Sequence, residues 1–189
     1  MSHIIGVVGS RSLPSSFSPL VFRVVSALLG RGFRVASGGV LGADSFALSA
    51  LLQQGAAARG VVFSPWVSPS GFPASVRPQV AQLLSSGGQV AWGTAVPDGP
   101  RSDVVSALLG RNRRLVQFAS GLVAFLHGSS RGSLFTVRQA VAHGIPVVVF
   151  LCGAGASLPP DLASQCLVIH NPDYSYSLTK MIFGADFKS

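Results

Sequence analysis

Apolar residues gather into short blocks separated by glycine- and proline-bearing turns, and two kinds of block alternate along the chain. Ile4 to Val8, Leu122 to Leu126 and Ile145 to Phe150 are near-continuous apolar runs, the pattern of strands buried on both faces of a parallel sheet. Pro146 fits the start of the last run, where a missing donor costs least. Phe33 to Ala36, Arg59 to Phe63, Gln89 to Trp92 and Cys166 to Ile169 read as shorter strands. Phe17 to Leu29 instead repeats apolar residues at helical spacing, with Leu20, Val21, Val24, Val25, Leu28 and Leu29 on one broad face, and Gly30 and Gly32 end it. Ser45 to Gln54, Val76 to Leu84, a stretch capped by Ser102 and running through Leu109, and a segment carrying Leu134, Val137 and Val141 on one face are further helices. Gly110 is expected to break or bend the fourth, and Tyr174 to Phe183 predicts a terminal helix. Strands alternating with helices throughout give an α/β class: a doubly wound, mostly parallel sheet with helices on both faces.

The turns that leave these strands carry the chemistry. Gly9, Ser10 and Arg11 follow the first strand; Gly6 and Gly9 fall short of a dinucleotide fingerprint, because Leu13-Pro14 stands where a third glycine would open the helix. Ser37, Gly38 and Gly39 follow the second strand in a turn running to Asp44, and two such turns build a crevice at one edge of a sheet. Asp44 at a helix head has two readings: it accepts from a ribose or base group, or it stabilises the first turn through the helix dipole. Residues 64–73 form a proline- and aromatic-bearing loop suited to a lid or wall, and residues 93–100 a second proline- and glycine-bearing loop. Trp66 or Phe72 within the first either stacks on a base or caps the core.

A second constellation is denser. Arg111, Asn112, Arg113 and Arg114 precede the strand at Leu122, and Gly128, Ser129, Ser130, Arg131, Gly132, Ser133 and Thr136 follow it. A glycine-rich turn that leaves a buried strand and enters a helix points free N–H groups and the positive end of the dipole at one spot. Hydroxyls add hydrogen bonds there, and guanidiniums grip phosphate in a two-pronged geometry. The expected ligand is a phosphate, alone or in a nucleic-acid backbone.

Composition sharpens this. The 189 residues are 48% hydrophobic and 11% charged, enough for a sizeable core, and the length favours one domain over residues 1–189. A formal charge of +8, with 12 of the 14 cations arginine, favours phosphate or nucleic-acid partners. No glutamate occurs, so acid or base chemistry falls to six aspartates and four histidines. The histidines are scattered and support no metal site, and nothing calls for a cofactor. Cys152 and Cys166 read as buried thiols in a reducing cytosol, with a disulfide as the alternative. The N-terminus lacks a signal pattern and no apolar run approaches the ~20 residues of a membrane span, so a cytoplasmic protein is expected. The terminal helix and the hydrophobic stretch from Ile145 to Leu151 suggest a homodimer.

Taken in order, Val7 to Arg11, Ala36 to Leu48, Gly110 to Leu115, Gly132 to Ala140 and the strand from Pro146 to Phe150 resemble the Rossmann-like domain of the DNA-processing protein A (DprA/Smf) family, strongest over residues 3–150. That family stands within a wider group that includes the LOG-type nucleotide hydrolases. The resemblance implies a pocket that binds single-stranded DNA, lined by Arg11, Ser37, Gly38, Arg111, Arg113, Ser129, Arg131, Ser133 and Thr136, and a RecA-type recombinase as partner. It also implies that Gln139 stands where the LOG-type enzymes carry a catalytic glutamate, so no catalytic residue is assigned. The leading expectation is a non-enzymatic binder of single-stranded DNA. The alternative is a sensor or carrier of a nucleotide or other phosphorylated or oxyanionic ligand, and a nucleotide hydrolase stands third.

Overall fold

The computed structural model describes residues 3–170; the helix expected at Tyr174 to Phe183 lies outside the described residues. Seven strands form one sheet: β1 (Ile4–Gly9), β2 (Arg34–Ser37), β3 (Gly60–Phe63), β4 (Gln89–Ala91), β5 (Gly121–Leu126), β6 (Val147–Leu151) and β7 (Leu167–His170). Their order is β4-β3-β2-β1-β5-β6-β7, and every pairing is parallel. β1 and β5 pair at the centre, with Val7 opposite Val123 and Gly9 opposite Phe125. The sheet is the α/β Rossmann-like arrangement that the alternating pattern predicts.

The helices are α1 (Ser18–Gly30), α2 (Ala43–Gln53), α3 (Arg77–Ser85), α4 (Arg101–Phe118), α5 (Arg131–Ala142) and the short α6 (Pro160–Ala163). One face of the sheet packs Ile5, Val7, Val123 and Phe125 against α1 and α2, and Phe125 stacks on Phe150 at 5.0 Å between ring centroids. The opposite face packs Val8, Leu122, Ala124 and Leu126 against Leu115 and Val116 of α4 and Val137 and Ala140 of α5. Alternate residues of β1 and β5 therefore enter different cores, which is why these runs are apolar without a period.

Three expectations change. α4 runs unbroken through Gly110 to Phe118, because a glycine in a helix costs only about 1 kcal/mol and burial of Leu115 and Val116 anchors its far end. Its N-cap is Pro100 with no side-chain cap; the Ser102 hydroxyl bonds the Asp103 carboxylate at 3.1 Å instead. Of the hydrophobic stretch at Ile145 to Leu151, Val147–Leu151 is core rather than surface, since β6 is buried between β5 and β7. Both cysteines are free thiols, and burial pushes Cys152 up to about 12 and Cys166 upward. Among the described residues, no helix is long and apolar enough to cross a membrane.

Candidate functional site

The direction of chain progression reverses between β1 and β5: β2, β3 and β4 lie on one side, β6 and β7 on the other. Loops leaving β1 and β5 diverge at such a point and open a crevice beyond the carboxyl ends of the strands. A cavity of about 420 Å³ occupies it. Gly9 and Arg11 reach it from the β1 loop, Asp44 from α2, Arg111 and Asn112 from α4, and Ser129, Arg131, Gly132, Ser133 and Thr136 from the β5 loop and α5. Gly9 is required by close approach, since a Cβ there would strike the Phe125 carbonyl oxygen and Ala43.

The floor is a buried ion pair. Arg111 Nη1 lies 3.8 Å from Asp44 Oδ2, and the Gly38 N–H donates to the same oxygen at 2.7 Å. Burial pushes the Asp44 carboxyl up from 3.8 to about 6, with Arg111, the Gly38 N–H, Arg11 and the Gly9 N–H pulling the other way. Burial also lowers the Arg111 guanidinium, opposed by Asp44 and reinforced by Arg11 and Arg114. Arg111 Nε is buried and has no hydrogen-bond partner among the described residues. Gly38 makes the pair possible: a Cβ at 38 would fall on the Arg111 guanidinium and press on Asp44 Oδ2. Asp44 stands in the first turn of α2, as the dipole reading requires, and its Oδ2 is engaged by protein donors.

The cationic wall is built where β5 feeds α5. The first N–H groups of α5, at Arg131, Gly132 and Ser133, have no partner within the helix and form the positive end of its dipole. Arg11, Arg131 and Ser129 are exposed at the rim. The hydroxyls behind them are partly committed, Ser133 to Ser130 at 2.7 Å and Thr136 to the Gly132 carbonyl at 3.0 Å.

Several expected residues lie elsewhere. The Ser10 hydroxyl donates to the His127 carbonyl at 3.0 Å and accepts the His127 N–H at 2.8 Å, clipping the β1 and β5 loops together from below. Ser37, Gly38 and Gly39 do not line the cavity: Gly38 holds the floor through Asp44, Gly39 lies against Phe72 and Val62, and Ser37 is buried; Gly128 supplies a turn at φ 57°. Arg113, two positions beyond Arg111 on a continuous helix, points away and lies over the Phe135 ring at 5.4 Å from its centroid. Arg114 straps α4 to the Trp92 and Ser64 carbonyls at 3.0 and 2.6 Å. Phe72 is buried beside Trp92, and Trp66 packs on the same cluster, so both cap the core rather than face the cavity.

Sequence reasoning missed the apolar wall. Val105, Leu108 and Leu109 line the cavity together with Asn112, spaced as one face of α4, and Val40 joins them from the β2 loop. The spacing of Val105, Leu108 and Leu109 was visible in the sequence; the expected break at Gly110 only cut Asn112 off from that face.

The family profile of DNA recombination-mediator protein A matches residues 1–171. No curated protein matches the chain in sequence. Among solved structures, DNA processing protein A from Helicobacter pylori, described for its single-stranded DNA binding mode, superposes with a TM-score of 0.65 at 18% identity, over 82% of this chain and 68% of that one. DNA processing protein A from Streptococcus pneumoniae gives a TM-score of 0.68 at 18% identity over 90% and 59%, so this chain spans well under the whole of either protein. A molybdenum cofactor binding protein from Rippkaea orientalis gives 0.60 at 14% identity over 89% of both. At such identities the structural likeness establishes the fold, and the profile match across nearly the whole described length establishes the family: the chain belongs to the DNA recombination-mediator protein A family.

Proposed function

We propose that the chain is a non-enzymatic binder of single-stranded DNA that takes the strand's phosphates at the cavity between the β1 and β5 loops. The observation that carries this is the convergence of Arg11, Arg111 and Arg131 with the N-terminus of α5 on one cavity, in a member of this family. Guanidiniums and helix N-terminal N–H groups are phosphate donors of complementary kinds, and both gain strength where water is partly excluded. Ser129 and Asn112 add neutral donors, and bases meet Val40, Val105, Leu108 and Leu109 rather than an aromatic shelf. The single-stranded DNA binding of the Helicobacter pylori relative supports the reading through family and fold. By the same family argument we assign a RecA-type recombinase as the partner that receives the strand. Asp44 is the one carboxylate lining the cavity among the described residues, and its engagement by Gly38 and Arg111 argues against a hydrolytic role.

The test is anisotropy of a labelled single strand titrated with protein at several salt concentrations. Affinity should fall steeply, with a slope of about −0.7 in log–log form for each phosphate neutralised. Arg11→Ala or Arg131→Ala should each weaken binding by about 1.5–3 kcal/mol and flatten the slope by about 0.7, the share of one phosphate. A salt-independent affinity that neither variant alters defeats the proposal. A second reading, carriage of a nucleotide or other oxyanionic metabolite, is favoured by the closed floor of the cavity; tight, salt-tolerant binding of a mononucleotide without strand binding would select it.

A further inference from the structure

The charge and shape of the cavity bear on which part of a strand it takes. Among the described residues Arg11, Arg111 and Arg131 line it against one carboxylate, that of Asp44, which leaves two positive charges in excess. A phosphodiester within a strand carries one negative charge. A phosphate monoester carries about −1.5 to −2 at neutral pH and three acceptor oxygens. The α5 N-terminus adds donors on the side where Arg131 stands. Arg111, only 5% exposed, brings its charge to the cavity from a buried position beside Asp44.

Shape points the same way. The carboxyl end of β1, at Val8 and Gly9, and the Asp44–Arg111 pair line the cavity from below, so a ligand seats from its open side. Its volume of about 420 Å³ lies near the lower end of the ~300–1,000 Å³ typical of small-molecule sites. The same cavity is lined by the aliphatic side chains of Val105, Leu108 and Leu109. One phosphate beside one apolar slot is the outline of a single nucleotide.

Resting on the reading of this cavity as a nucleotide-phosphate site, we infer that it selects a nucleotide's phosphate monoester, supplied by the end of a strand or by a free mononucleotide, over an internal phosphodiester. Where a strand supplies it, binding is end-directed: the terminal nucleotide seats in the cavity and the rest of the strand leaves across the rim at Arg11 and Ser129.

The experiment uses the full chain and one internally labelled oligonucleotide in three forms, phosphorylated at its 5′ end, phosphorylated at its 3′ end, or bearing hydroxyls at both. One phosphorylated form should bind about tenfold more tightly than the hydroxyl form, the scale of one or two charge-assisted hydrogen bonds. The matching deoxynucleoside monophosphate should compete, and the deoxynucleoside should not. Arg131→Ala, at an exposed position, should erase the preference, and Arg113→Ala, whose side chain lies over Phe135 outside the cavity, should keep it. Equal binding of all three forms overturns the inference and leaves single-stranded DNA binding standing. Binding of the monophosphate without any oligonucleotide upholds the monoester preference, names the free nucleotide as its source, and removes the DNA reading. Failure of every probe removes both.

Discussion

Replacing Arg111 with methionine keeps an apolar stem and deletes the charge that faces Asp44. At 3.8 Å and an effective dielectric constant of about 20, the pair attracts by ~4 kcal/mol, and stranding one partner of a buried pair costs about 3–5 kcal/mol. The cost depends on whether Asp44 is ionised. With the pair intact the Asp44 carboxyl titrates at about 6, roughly two units above an unfolded aspartate. The folded state then holds that proton more tightly than the unfolded state. The stability Asp44 contributes is complete below about pH 4 and is lost, by ~3 kcal/mol, as pH rises through about 6. Without the guanidinium the folded value rises further and the loss extends to higher pH. Arg111→Met should therefore destabilise the chain by about 2–3 kcal/mol near pH 8, the most that two pH units above a native value of about 6 allow, and by close to nothing near pH 4.5, where Asp44 is protonated and the native guanidinium is itself unpaired. Urea unfolding followed by the fluorescence of Trp66 and Trp92 at the two pH values measures the difference. Adding Asp44→Asn should restore most of the loss near pH 8. An equal loss at both pH values, or a larger one in acid, refutes the argument.

Gly38→Ala drives a Cβ into the place of the Arg111 guanidinium and should cost about 1–3 kcal/mol together with strand affinity; an unchanged melting temperature would show that the floor yields freely. Ser10→Ala leaves both the N–H and the carbonyl of His127 without the hydroxyl that joins the two loops, and should lower stability by about 1–3 kcal/mol in thermal unfolding. Strand affinity at fixed salt should rise as pH falls through about 6, because protonated Asp44 releases Arg111 from its internal anion. Asp44→Asn should bind tightly with a flattened pH response, which separates this group from the histidines; an unaltered pH profile in that variant would place the effect elsewhere.

The strands buried on both faces were legible because no local signal competes with a run such as Leu122 to Leu126, whose side chains all enter one core or the other. The amphipathic face of α1 and the glycine-rich turns after β1 and β2 were equally plain, since helical spacing and glycine placement are local consequences of backbone geometry. The arginine cluster could be read as a group but not sorted. Residues two apart on a helix point about 200° apart, so the continuity of α4 sends Arg111 inward to Asp44 and Arg113 outward to Phe135. That continuity was decided by the burial of Leu115 and Val116, which outweighs the modest penalty at Gly110, and the same event turns Val105, Leu108 and Leu109 into a cavity wall. The reversal between β1 and β5, which creates the cavity, was likewise a matter of which helices cover which face of the sheet. By itself the sequence determined the elements, the basic charge and the candidate loops. Tertiary structure alone decided which cations share a cavity, because facing depends on the phase of a helix against its partners and on pairings between residues more than a hundred positions apart, such as Val7 with Val123.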